Sequence, residues 1–442
     1  MSEKNRTIED LPWGRFHRLL ALRSAGGSFV DGYVLSLIGI ALIPTSAALG
    51  FDSFWEGMIA ASALIGIFIG GFFGGWLTNQ FGRRAIYFIG PVLFTVASLA
   101  QYWIQDAQTL FFLRLIIGIA VGIEYPVSTS MLVEFSPKKN RGPCLGWFVI
   151  VWFIGAAVAY LVGELILRMG GEDAWRLVLA STTIFSLALL LLRIGSPESP
   201  RWLISKGRHA EAEQVIKKVY GPEFSLSHLP EEPQQVKTSF WNLIRAGYGR
   251  RMLFVSVFWT CSIVPVFAVY AFAPKVLQAL NIKDDWASIG SVSITALFVV
   301  GCVVATRVIN SLGRRNLLIV SFLFSGLALF GLGLLHDSSA LVILCLFGAY
   351  ALFIGGAQVL TMVYPNELFP TEIRAQAMGV GTSISRIGAA VGTYLVPVAL
   401  SEYGIANTMY AAALVTLVGL IVSWMMAPET RSLSLQQAAS LD

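Results

Sequence analysis

Gly82-Arg83-Arg84 closes one long apolar run, and Gly313-Arg314-Arg315 closes another 231 positions later. Two further landmarks repeat around these triplets. Pro197-Glu198-Ser199 returns as Pro428-Glu429-Thr430, again 231 positions on. Glu134, Pro137 and Arg141 return as Glu367, Pro370 and Arg374, displaced by 233 with identical internal spacing. Three landmarks in one order argue for a duplicated unit rather than for chance.

The runs between the landmarks set the solvent. Of 442 residues, 56% are hydrophobic and only 13% charged, whereas a soluble domain carries about 25% charged residues to cover its surface. A bilayer crossing needs about 20 apolar residues. Such stretches fall at 22–46, 54–77, 85–103, 109–132, 143–167 and 176–194, and again at 252–276, 288–309, 316–335, 339–363, 375–400 and 405–427. The expected fold is therefore an all-α membrane protein of 12 transmembrane helices in two pseudo-symmetric six-helix bundles, 1–195 and 252–442. The intervening 196–251 is the one long hydrophilic segment. Within it, His209 to Tyr220 has the periodicity of a short amphipathic helix, and Pro230 to Pro233 reads as loop.

Lysine and arginine place the short loops. Arg15, Arg18, Arg23, Arg83, Arg84, Lys138, Lys139, Arg201, Arg250, Arg251, Arg314, Arg315 and Arg431 collect on one side; Asp52, Glu56, Asp106, Asp173, Asp337 and Glu402 mark the other. Both termini are expected in the cytoplasm. The net charge of +5 thus records topology and not a nucleic-acid surface. Cys144, Cys261, Cys302 and Cys345 all lie in apolar runs, without metal-ligand spacing, and read as unpaired thiols. The N-terminus lacks the pattern of a cleaved signal peptide. No G-x-x-x-x-G-K-[ST] stretch is present, so nucleotide-driven pumping is not expected, and no cofactor is called for.

Gly75-Trp76-Leu77-Thr78-Asn79-Gln80-Phe81-Gly82-Arg83-Arg84, Pro197-Glu198-Ser199-Pro200-Arg201-Trp202-Leu203, and Arg114, Gly118 and Gly122 with Glu134-Phe135-Ser136-Pro137 resemble the major facilitator superfamily, in its sugar-porter-like and organic-ion branches. Phe29-Val30-Asp31-Gly32-Tyr33-Val34-Leu35 is similar to the first helix of bacterial inner-membrane metabolite transporters. Two departures matter. The signature aspartate is Asn79 here and Asn310 in the second copy, so an acidic cap is missing from both. The seventh helix, Thr260-Cys261-Ser262-Ile263-Val264-Pro265, lacks the Gln-Gln pair with which sugar porters hold hexoses.

A charge in mid-membrane costs at least a few kcal/mol, so each is a functional hypothesis. Asp31, in the first span, is the expected proton carrier. A carboxyl is neutral when dry and ionised when an arginine approaches, so a partner that moves between conformations loads and releases the proton. The resemblance implies Arg114 as that partner. Glu124, about 15 Å from Arg114 along the same helix, is expected at the cavity as a second proton site, a substrate ligand or the partner of Arg386. Arg386 presents a planar fork suited to a carboxylate; its bland alternative is a permanent pair with Glu124 or Asp31. Trp152, Tyr270 and Gln358 lie in helices that line the cavity in the resembling family, against the reading that such side chains merely face lipid or other helices. Gly66, Gly70 and Gly74, Gly118 with Gly122, and Gly388 with Gly392, spaced by four, are expected to let helices approach closely.

The repeated loop residues are expected to form a gate. Arg83, Arg84, Glu134, Arg141, Glu198, Arg314, Arg315, Glu367, Arg374 and Glu429 would pair across the two halves and break when the inward side opens. Ordinary surface pairing, worth up to about 1 kcal/mol per pair, is the alternative. The chain thus reads as a monomeric proton-coupled symporter of a small organic metabolite, a carboxylate, in a bacterial inner membrane, and not as an enzyme. Its partners would be that substrate, protons and the bilayer, with no nucleic acid. Competing readings are a neutral sugar or polyol symporter, a drug or metabolite exporter, and a non-transporting sensor on the same scaffold.

Overall fold

The computed structural model describes residues 8, 11–171, 173–229, 244–280, 282, 284–369, 371–431 and 438. Some side chains within its helices are not described, including three expected at the site or gate, Arg141, Tyr270 and Arg374.

Helices α1 (Arg15–Leu49), α2 (Ser53–Phe81), α3 (Arg83–Ala100), α4 (Ala107–Phe135) and α5 (Lys138–Met169) follow one another with short connections. The sixth crossing is made by α6 (Ala174–Ala180) and α7 (Thr182–Arg193). They are separated at Ser181, whose hydroxyl donates to the Val178 carbonyl (2.6 Å) and shares a hydrogen bond with Tyr33 (2.7 Å). Short helices α8 (Pro200–Ser205) and α9 (His209–Tyr220) come next; α9 buries Ala212 and Ile216, the amphipathic pattern read from the sequence. Six long helices complete the chain: α10 (Gly249–Ala279), α11 (Asp284–Leu312), α12 (Arg314–Leu334), α13 (Ala340–Leu368), α14 (Thr371–Glu402) and α15 (Gly404–Met426). Among the described residues, 12 stretches are long and apolar enough to cross a membrane. Large apolar side chains cover the outside of the bundle: Val96, Ile184 and Leu341 are 62%, 71% and 73% exposed. A surface of that kind belongs against hydrocarbon.

Glycines set how closely the helices approach. On α2, a Cβ at Gly70 would overlap the Ile119 carbonyl of α4, and one at Gly122 would come within 2.5 Å of the Ile67 carbonyl. On α1, a Cβ at Gly32 would overlap the Trp152 carbonyl of α5. This last contact matters for function, because it fixes Asp31 and Trp152 on neighbouring helices beside the same space.

The duplicated landmarks form duplicated structures. Gly82 and Gly313 turn the chain with φ of 97° and 88°, which side-chain-bearing residues rarely adopt. The helix starts that follow leave unpaired backbone N–H groups, and a carboxylate receives them in both copies. Glu198 accepts from the N–H of Arg83 (2.9 Å) and Arg84 (3.1 Å), and Glu429 from those of Arg314 (3.0 Å) and Arg315 (3.2 Å). Burial pushes the Glu198 carboxyl above the usual carboxylate range, against the pull of these N–H donors. Arg83 pairs with Glu134 (3.3 Å) and Arg314 with Glu367 (3.0 Å). Ser199 and Thr430 donate to the same two glutamates. Asn310 accepts from Arg314 at 3.0 Å, so an amide oxygen occupies the place of the missing acid in the second copy; the Asn79 side chain is not described.

Among the described residues these networks do not form the pairing across the halves expected of a gate closed at this end. Each lies within its own set of six spans: Arg83, Arg84, Glu134 and Glu198 in the first, and Arg314, Arg315, Glu367 and Glu429 in the second. The physical reason is local. Each glutamate serves the helix start nearest to it in its own repeat, where its charge also meets the favourable helix dipole. Arg141 and Arg374 fall outside the described side chains.

Candidate functional site

A cavity of about 820 Å³ lies between the first six spans and the last six, bordered by Asp31, Tyr125, Trp152, Phe267, Gln358 and Arg386. We call the helix ends carrying Arg83 and Arg314 the basic end. The cavity extends toward it, reaching Gly71, Thr129, Ser130, Thr382 and Ser383. At the opposite end the two halves touch. Glu56 of α2 forms an ion pair with Lys275 of α10 and accepts a hydrogen bond from Ser46 (2.8 Å). Ser53 and Ser401 approach to 3.5 Å, and Phe54 meets Tyr394 edge-on at 6.2 Å. Among the described residues, Glu56–Lys275 is the one ion pair that joins the two halves.

Asp31 is 1% exposed, and neither carboxylate oxygen has a hydrogen-bond partner among the described residues. The charges near enough to act on it are Glu124, Arg193 and Arg386. Arg386 lies over the Phe267 ring, 5.2 Å from its centroid, and its Nε and Nη1 have no partner. Neither residue takes part in an ion pair among the described residues, so the permanent Asp31–Arg386 or Glu124–Arg386 pair is not formed.

The expected pairing of Asp31 with Arg114 is not formed either. Arg114 is 1% exposed, makes no ion pair among the described residues, and lies outside the cavity wall. Register explains this. Helix α4 presents Val121, Gly122, Tyr125, Thr129 and Ser130 to the cavity, and Arg114 precedes Val121 by two turns, about 10 Å along the axis.

Glu124 is also corrected. It does not border the cavity but faces away, among α1, α3 and α7. Arg193 donates to it from both terminal nitrogens, Nη1 at 2.8 Å, and also reaches the Ser128 hydroxyl (3.0 Å) and the Tyr87 carbonyl (2.5 Å). The Arg193 guanidinium lies 3.6 Å from the Tyr87 ring centroid, and both members of the pair have no exposed side-chain surface. Glycines leave the room: a Cβ at Gly90 would come within 2.7 Å of the Glu124 carboxylate, and one at Gly27 within 2.6 Å of Arg193. Nearby, Arg23 donates to the carbonyls of Leu192 and Ile194 (2.8 Å each), tying down the end of α7.

Trp152 and Gln358 border the cavity, and the Tyr270 side chain is not described. Gln358 donates to the Ser262 carbonyl at 2.9 Å. Tyr125 and Phe267 were missed by sequence reading, because an aromatic residue in a chain with 29 Phe and 13 Tyr carries no distinguishing signal. Arg193 and Lys275 did leave one: each is a cation in the last turns of an otherwise apolar run.

The profile of the sugar (and other) transporter family matches residues 21–441. The chain belongs to that family. It is a membrane transporter and not an enzyme. The putative metabolite transport protein YaaU of Escherichia coli (strain K12) is 39% identical over 440 residues, covering 99% of this chain and 98% of that protein. The inner membrane metabolite transport protein YgcS of the same organism is 37% identical, covering 98% and 96%. Among solved structures, the partially occluded inward open conformation of the xylose transporter XylE from E. coli superposes with a TM-score of 0.82 at 22% identity, over 95% of this chain and 100% of that one. This likeness establishes the major facilitator fold.

Proposed function

We propose that this transporter is a proton-coupled symporter of a small organic metabolite bearing a carboxylate, set in a bacterial inner membrane with its basic end and both termini in the cytoplasm. The observation that carries the reading is the coexistence of Asp31 and Arg386 at one cavity, each without an ion-pair partner among the described residues. Buried charges are normally paired, and an unpaired one is retained for use. Arg386 offers a substrate carboxylate a planar fork of N–H donors that cannot deprotonate. Asp31 offers a proton site within electrostatic reach of it. When substrate neutralises Arg386, Asp31 loses the cation that favours its ionised form and takes up a proton. The two loads then travel together.

With the basic end cytoplasmic, the cavity faces inward and the Glu56–Lys275 contact closes the outside. The two sets of spans would rock about the cavity in alternating access. The pair Glu124–Arg193 is a static brace inside the first six spans. Arg114, without a charged partner among the described residues, has no assigned part in coupling.

The test is uptake into proteoliposomes under an imposed inward proton gradient. Labelled monocarboxylates are expected to accumulate and to compete with one another, while pentoses, hexoses and polyols do not compete. Competition by the sugars alone would replace the carboxylate with a neutral substrate.

A further inference from the structure

The cavity wall narrows the carboxylate class, on the understanding that the carboxylate reading above holds. Five of its hydroxyl and amide donors are already engaged. Ser28 donates to the Phe148 carbonyl (2.6 Å), Tyr125 to the Met362 sulfur (3.1 Å), Thr129 to the Tyr125 carbonyl (2.9 Å), Thr361 to the Gln358 carbonyl (2.6 Å) and Gln358 to the Ser262 carbonyl (2.9 Å). A ligand hydroxyl set against these five would have to displace their bonds or stay unmatched, and unmatched buried polar groups are costly; the Ser130, Thr382 and Ser383 hydroxyls lie toward the basic end of the cavity. Arg386 differs, since its guanidinium donates no hydrogen bond to another described residue.

The surface next to that guanidinium is aromatic. The Arg386 guanidinium rests on Phe267 at 5.2 Å. Phe267 meets Trp152 edge-on at 5.9 Å and 74°. Tyr125, which also lines the cavity, meets Phe148 in the same manner at 5.5 Å. A bidentate arginine–carboxylate pair is coplanar. In an aryl carboxylate, conjugation holds the ring in the plane of its carboxylate as well. A flat ring held to Arg386 would share the cavity with Phe267 and Trp152, where offset aromatic contact adds to area burial. A saturated or sugar-derived acid cannot lie flat in that way. The volume, about 820 Å³, is within the range of sites for single small molecules.

We infer that the substrate is a flat, ring-bearing monocarboxylate of the aryl carboxylate class, held by Arg386 at its carboxylate and by Phe267 and Trp152 at its ring.

Titration calorimetry of the purified full-length transporter with benzoate, cyclohexanecarboxylate, benzyl alcohol and the pair 3-phenylpropanoate and phenylalanine tests this. Benzoate is expected to bind at least fivefold more tightly than cyclohexanecarboxylate, and Phe267→Leu to shrink that preference to less than twofold. Equal binding of the two acids, with benzyl alcohol inert, would overturn the aryl inference and leave the carboxylate reading standing. Equal binding of benzoate and benzyl alcohol would overturn both. Phenylalanine binding tenfold more tightly than 3-phenylpropanoate would make the ligand a zwitterion, and the inference would also fail. Should Phe267→Leu not fold, comparison of the two ring acids on the unaltered protein still decides.

Discussion

Arg193 neutralises Glu124 inside the first six spans, by two parallel contacts from its terminal nitrogens and with neither side chain exposed. Three elements fix the pair: α4 supplies Glu124 and Ser128, α7 supplies Arg193, and α3 supplies Tyr87 beneath the guanidinium. A charge so completely answered does not need to move. This separates Glu124 from Asp31, another buried acid of the same bundle, which has no donor among the described residues.

Removing one partner of a buried pair strands the other and costs about 3–5 kcal/mol. Glu124→Gln and Arg193→Met are each expected to lower the thermal unfolding temperature of the detergent-purified protein markedly. The double variant should recover part of the loss, because it strands no charge. A Glu124→Gln protein of unchanged stability that transports but no longer couples to protons would restore Glu124 as a proton site.

Arg386→Lys keeps the charge and removes the fork. A bidentate carboxylate contact cannot be made by a point-like ammonium. Carboxylate binding should weaken by tenfold or more, equivalent to about 1.4 kcal/mol, in calorimetry or in substrate protection against heating. An unchanged affinity would return Arg386 to a packing role.

Closure of the outer end rests on contacts between α2 and the second half. With Ser53 and Ser401 hydroxyls 3.5 Å apart, oxidation of a Ser53→Cys/Ser401→Cys variant should form a cross-link, stop transport and release it again on reduction. Glu56→Gln should loosen the same end and slow cross-linking, and the exchanged pair Glu56→Lys/Lys275→Glu should restore it. Full transport by the cross-linked protein would show that this end does not open.

Much of this architecture can be read from the sequence. Span count depends on the length of apolar runs, which a bilayer dictates, and the repeat shows in three landmarks that also superpose as hydrogen-bonded turns around Gly82 and Gly313. Partner choice cannot be read the same way. Whether Arg114 or Arg193 stands beside a given acid depends on how α4 is rotated and how far it slides past α1 and α7, and spacing along one helix contains neither quantity. The gate residues show the same limit. Glu198 and Glu429 were recognisable as partners of the Gly-Arg-Arg triplets, but not that each would serve its own repeat. Asp31 and Arg386 were legible because ionisable groups in lipid are conspicuous, whereas the aromatic wall around them was hidden among many similar residues.

Comparison of active accumulation with exchange in an Asp31→Asn variant tests the central claim most directly. Reconstituted into liposomes, the variant is expected to exchange labelled for unlabelled carboxylate across the membrane while failing to concentrate it under a proton gradient, and its exchange should lose the pH dependence of the unaltered protein. Gradient-driven accumulation by Asp31→Asn, with an unchanged pH profile, would contradict the assignment of the proton to this residue.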